Sequence, residues 1–124
     1  MKSYTDLEQS KVLSKILLLK SADMCYANDG TSIKVDANPY TVRYSMWKDY
    51  VAEIIPCWSL AALLELLPKR IEIVDNAYEL SVYLYGIYYW NINNGNLCFE
   101  SKDKDSLVDA CYEAIVFLHE QKLL

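Results

Sequence analysis

A chain of 124 residues is about one domain's worth of polypeptide and excludes a tandem or multidomain arrangement. Apolar and aromatic residues make up 53% and charged residues 23%, a composition that supports a packed core and excludes a disordered chain. Seventeen acidic against twelve basic residues leave a net charge of −5 with only two arginines, so the basic footprint of a duplex nucleic-acid binder is missing.

The opening Met1-Lys2-Ser3-Tyr4-Thr5-Asp6 runs into a charged amphipathic segment without an apolar signal core, and the expected location is cytoplasmic. The longest apolar runs, Ile16–Leu19 and Ile54–Trp58, fall far short of the roughly 20 residues that span a bilayer. Thr5-Asp6-Leu7-Glu8 fits a capping box with Thr5 as the cap, which predicts a first helix from near Asp6 to near Leu18. Val12, Leu13, Ile16, Leu17 and Leu19 share its apolar arc, with Leu18 out of phase.

Between Ser21 and Tyr50 the patterning is weakest. Asn28-Asp29-Gly30 is a turn signal between two short candidate strands, Met24-Cys25-Tyr26 and Ile33-Lys34-Val35. Tyr40–Tyr44 is a further β-prone run, although an ordered loop with one strand fits the region equally. Ser59 then caps a short helix through Leu67, which Pro68 stops; its residues are apolar nearly all round, so it is expected to be mostly buried.

Strands are expected next. Tyr78, Leu80, Val82 and Leu84 alternate with Glu79, Ser81, Tyr83 and Tyr85, the period of a sheet with one face on a core. Ile87–Ile92 reads as another strand, Asn93–Asn96 as a hairpin turn and Leu97–Glu100 as a third strand, with Ile71–Val74 a possible fourth. A final helix from about Ser106 to Gln121 carries an apolar stripe of Leu107, Cys111, Ala114, Ile115 and Leu118. The expected fold is therefore a single α+β domain over 1–124. It is an antiparallel meander of three to five strands packed by an N-terminal, a short central and a C-terminal helix.

Ile55–Pro68 and the block from Val108-Asp109-Ala110-Cys111-Tyr112-Glu113 to Leu124 resemble a group of small uncharacterised proteins encoded in prophage-like and mobile-element regions of Bacteroidetes. Tyr4–Leu7 and Ser21–Cys25 extend the likeness, while Tyr40–Tyr50 lies outside it. The resemblance implies a phage or mobile-element context and carries over no functional residue.

Cys25, Cys57, Cys98 and Cys111 are irregularly spaced, each followed by an aromatic residue, and form no Cys-x-x-Cys pair. They are read as reduced, buried residues rather than metal ligands. His119 is the sole histidine, placed by the pattern at a helix end, eight residues from Cys111 and so about 12 Å along the axis, too far for a nucleophile and base. Asp103 and Asp105 alternate with Lys102 and Lys104, the run to Asp109 lacks a calcium-loop pattern, and no glycine-rich phosphate loop is present. No cofactor, metal or catalytic residue is assigned.

Eleven tyrosines and three tryptophans against two phenylalanines give the chain aromatics with polar tips, which favour half-buried sites and interfaces. On the expected sheet Tyr83, Tyr85 and Tyr89 share one face, opposite Leu80, Val82 and Leu84. A second layer of the same chain, a protein partner or second copy, or stacked bases would cover it. Stacked bases are disfavoured because Lys69, Arg70, Asp75 and Glu79 roughly balance. The expectation is a non-enzymatic accessory or interaction protein of a mobile element, acting on a protein partner or on itself through Tyr83, Tyr85, Tyr89 and Trp90. The alternative is a small ligand-binding or hydrolytic domain using carboxylates in a cleft near 21–50.

Overall fold

The computed structural model describes residues 2–28, 53–84, 86–101 and 106–124. The expectations on Ile33–Val35, Tyr40–Tyr44, Tyr85, Asp103 and Asp105 lie outside them. The fold is α+β, with three α-helices and two antiparallel sheets among the described residues. The chain forms two compact units, residues 3–62 and residues 1–2 with 63–124.

In the first unit, helix α1 (Leu7–Leu13) begins one residue later than the pattern suggested. Asp6 is the cap: its carboxylate accepts from Gln9 N–H at 2.8 Å, and the Gln9 side chain accepts from Asp6 N–H at 3.1 Å. That reciprocal pair is the capping box. Thr5 is fully buried instead, and its hydroxyl oxygen accepts from Trp58 N–H at 3.2 Å and lies 2.8 Å from Ser10 Oγ. The helix stops at Leu13, where Ser14 donates its hydroxyl to Lys11 O at 2.7 Å. Such local hydroxyl bonds compete with the helical ladder. The expected continuation to Leu18 is replaced by turns and a 3₁₀ segment at Leu19–Ser21, leaving Leu18 exposed as its phase implied.

Strand β1 (Met24–Asn28) pairs antiparallel with β2 (Glu53–Cys57), Tyr26 opposite Ile55 and Cys25 opposite Pro56. The sequence pattern assigned no strand to Ile55–Cys57. Pro56 lowers strand propensity by lacking an N–H, a deficit tolerated in a two-stranded ribbon. Helix α1 packs on β2, and Leu7, Tyr26 and Cys57 form a core with Tyr4, Met24 and Ile55 at its margin.

Helix α2 (Leu60–Leu66) starts at the expected cap, Ser59, whose Oγ accepts from Ala62 N–H at 3.2 Å. Ala62, Leu63 and Leu67 are buried, but Ala61 and Glu65 are exposed, so the helix has one buried face rather than the near-complete burial expected.

The second unit is a four-stranded meander, β3 (Arg70–Ile73), β4 (Asn76–Tyr83), β5 (Gly86–Asn91) and β6 (Leu97–Ser101), in that spatial order. Helix α3 (Leu107–Glu120) follows, capped by Ser106, whose Oγ accepts from Asp109 N–H at 3.1 Å. Lys2 Nζ pairs with Asp109 at 2.7 Å, placing a cation on a carboxylate in the first helical turn. Val108, Cys111, Ala114, Ile115 and Leu118 are fully buried. Helix α3 packs on β5 and β6, where Phe117 meets Phe99 with centroids 4.8 Å apart.

The hairpin connections carry distinct backbone constraints. Asn91, buried at 3% exposure, accepts from the N–H groups of Asn93 and Asn94, and Gly95 takes φ +76 to complete that turn. The β3–β4 turn is Val74-Asp75, both at positive φ (47° and 64°). A branched residue there is strained by about 1–2 kcal/mol. Gly86 is buried because an added Cβ would lie 2.8 Å from the Ser101 carbonyl oxygen and 3.0 Å from the Tyr88 ring.

Gly86→Ala is expected to lower stability by about 1–3 kcal/mol, since the backbone oxygen it meets cannot yield cheaply. Val74→Asn is expected to raise it by about 1 kcal/mol, because Asn tolerates the left-handed region. Urea denaturation measures both, and changes of the opposite sign would refute the two backbone assignments.

Candidate functional site

The faces of the meander follow from its register. Tyr83 pairs with Gly86, which leaves only positions 84 and 85 to connect β4 to β5. Leu80 then lies opposite Tyr89, Val82 opposite Ile87 and Ser81 opposite Tyr88. Directly paired residues share a face, so even-numbered residues of β4 join odd-numbered residues of β5. One face carries Ile71, Leu80, Ile87, Tyr89 and Phe99; the other carries Ser81, Tyr83, Tyr88, Trp90 and Leu97.

This reassigns the expected aromatic surface. Tyr89 is on the helix-packed face, fully buried, with its hydroxyl donated to Pro68 O at 2.7 Å. Burial pushes its phenol well above the usual tyrosine value. Tyr83 stands on the other face, where the inverted parity also puts Trp90, and Tyr85 is outside the described residues. Tyr88, which the alternation had pointed the other way, takes the place of Tyr89. Odd-number alternation runs through if β4 and β5 are one strand or are joined by an odd number of residues; a two-residue reversal inverts the parity, and Gly86 was its only mark in the sequence.

On this face Ser81, Tyr83, Tyr88, Trp90 and Leu97 line an open groove of about 390 Å³. Trp90 donates its indole N–H to Ser81 Oγ at 2.8 Å, which draws the ring across to β4. Tyr88 leans the other way, over Gly86, with its Cε2 and Oη 3.0 and 3.1 Å from the position of the missing Cβ. Tyr83 stands edge-to-face with it, centroids 5.2 Å apart at 85°. Such a T-shaped pair is worth about 0.5–1.5 kcal/mol beyond burial and holds both rings in place. Tyr83 remains 62% exposed and Leu97 47%. Two features therefore shape the groove: a glycine that makes room for one ring and a serine that anchors another.

The same face carries Arg70, Glu72, Glu79 and Glu100, all exposed, with Glu79 directly opposite Trp90 and Glu100 opposite Tyr88. Among the described residues of this face, three carboxylates stand against one guanidinium, Arg70, which lies directly opposite Glu79.

The groups weighed for chemistry lie elsewhere. His119 is exposed in the last turn of α3, its Nδ1 3.2 Å from Leu124 O. Asp23 accepts from both the N–H and the hydroxyl of Ser59, so its carboxylate serves the start of α2. All four cysteines carry free thiols; Cys25, Cys57 and Cys111 are buried and Cys98 half-buried. Burial pushes the thiols of all four upward, Cys111 to about 12, opposite to the depression that activates a nucleophile. Cys57 also sits in a hydrogen-bonded cluster, its Sγ 3.5 Å from Thr5 O, which accepts the Tyr26 hydroxyl at 2.8 Å. No helix among the described residues is long and apolar enough to cross a membrane. Comparison of the chain with protein-family models, curated proteins and solved structures gives no match.

Thiols held neutral by burial contribute their full stabilisation below the ordinary thiol value of 9.0 and lose it as pH rises toward the folded value. Stability is therefore expected to fall above pH 9, with Cys111, whose shift is the large one, contributing up to about 1.4 kcal/mol per pH unit between 9 and its folded value. Cys111→Ala should show a shallower decline between pH 9 and 10, before the phenols titrate, in urea unfolding at pH 7, 9 and 10. Identical slopes for the two chains would remove the thiol as the cause.

Proposed function

We propose that this protein is a non-enzymatic interaction module, an accessory protein of a prophage or mobile element. It would act by docking a protein partner on the open aromatic face of its meander. The observation that carries this reading is the groove of Tyr83, Tyr88, Trp90 and Leu97, on a face opposite the one α3 covers. Tyr and Trp rings fixed by sheet register and hydrogen bonds offer large contact area at little entropic cost, the composition of binding hot spots. The mobile-element context rests on the resemblance of Ile55–Pro68 and Val108–Leu124. The placement of His119, Asp23 and the thiols favours this reading over the hydrolytic one. The thiols are shifted away from reactivity, and Asp23 is engaged at the start of α2.

Tyr83→Ala tests it, because this ring is exposed and its loss should change stability by less than about 1 kcal/mol. Selection of a random peptide library on the wild-type chain is expected to enrich recurrent sequences. The variant should retain them about tenfold or more weakly, as for a hot-spot residue. Equal retention by both chains, with unchanged sedimentation, would overturn the docking face.

A further inference from the structure

We propose that the occupant of the groove is a proline-containing segment of a partner protein, in the polyproline II conformation and bearing arginine or lysine; this deepens the docking reading and rests on it. The floor of the groove is the face of paired strands, whose backbone groups are engaged in the ladders, so it offers ring faces and hydroxyls rather than a main-chain edge. Adding a strand is not a mode open to that face. Tyr88 and Trp90 are two residues apart on β5, about 6.8 Å along the strand. Their rings and that of Tyr83 line the groove, the kind of aromatic surface on which polyproline II segments dock. A groove of about 390 Å³ is small and open, and so has little contact energy to offset the ordering of a flexible peptide. A polyproline II segment is already extended and loses the least on docking.

Charge selects the rest of the ligand. Glu79 stands directly across from Trp90, Glu72 lies on the same face, and Arg70 is the one cation among these described residues. Arginine or lysine in the peptide gains from these carboxylates and from the exposed face of Tyr83. The same balance opposes two other occupants. A second copy docked about a two-fold axis would set one glutamate-rich face against another, and nucleic acid would bring phosphates onto it.

The test uses the full ¹⁵N-labelled chain and a ten-residue synthetic peptide with prolines in Pro-x-x-Pro spacing and an arginine at each end. The Trp90 indole N–H signal is identified by its loss in Trp90→Phe, with the buried Trp58 signal reporting an intact fold. A saturable shift of the Trp90 signal supports the proposal if two further conditions hold. Glu79→Gln and Tyr83→Ala must each weaken binding by about threefold or more, the scale of one exposed cation–π or ionic contact. Replacing the prolines by alanine, or the arginines by glutamate, must weaken it likewise. No shift at about 1 mM peptide, where even weak docking saturates in part, overturns it. A shift equal for the proline-free peptide, or one produced instead by a uridine oligonucleotide, also overturns it. If the peptide fails but Tyr83→Ala abolishes a concentration-dependent self-association or library enrichment, this identification falls and the docking face stands. If Tyr83→Ala changes neither, both fall.

Discussion

The pairing of Tyr83 with Gly86 decides which side chains of the meander are core and which are surface. Because the two strands reverse over two positions, the residue sets of β4 and β5 combine with opposite parity. That one constraint buries Ile87 and Tyr89 under α3 and leaves Tyr88 and Trp90 on the other face beside Ser81 and Tyr83. A one-residue change in the connection would exchange these sets, bringing the buried phenol of Tyr89 outward and an indole inward. The glycine that begins β5 adds a second role: where a side chain would stand, the Ser101 carbonyl and the Tyr88 ring close in. Register and ring placement are thus set at one point.

The unit formed by residues 3–62 is organised around polar rather than aromatic contacts. Thr5 bonds Trp58 through both backbone and side chain, its carbonyl accepts the Tyr26 hydroxyl, and its hydroxyl lies against Ser10 and Cys57. Every buried polar side chain among the described residues has a partner, so this cluster stabilises instead of costing desolvation. It also explains the shift of the cap by one residue. Thr5 is needed inside, and Asp6, exposed and charged, is free to serve the positive end of α1.

Much of the fold was legible from period alone. Val82 and Leu84, read as core-facing, are 44% and 67% exposed, and Val108 rather than Leu107 is buried in the stripe of α3, but the strand at Tyr78–Tyr83, the Asn-rich turn before β6 and helix α3 stand where the pattern put them. The same is true of Ser59 and Pro68, because capping and ring closure act over one or two residues and need no tertiary context. Strand β2 was hidden by Pro56, and the length of α1 by Ser14 and the turns after it, where local hydroxyl bonds overrode an apolar arc. The site was legible as a composition, an excess of tyrosine and tryptophan on strands. Its membership was not: Tyr83 and Trp90 were foreseen, Tyr89 was not a surface residue, and Tyr88 was missed.

By itself the sequence determined that the chain folds as α+β and that its aromatics carry polar tips, while the charges around them read as balanced. These follow from residue chemistry and from periods of 2 and 3.6. Only the tertiary structure decided which rings point outward and which carboxylates stand beside them. A sheet face is a property of paired strands, and the parity of a pair is set by the number of residues in the turn between them.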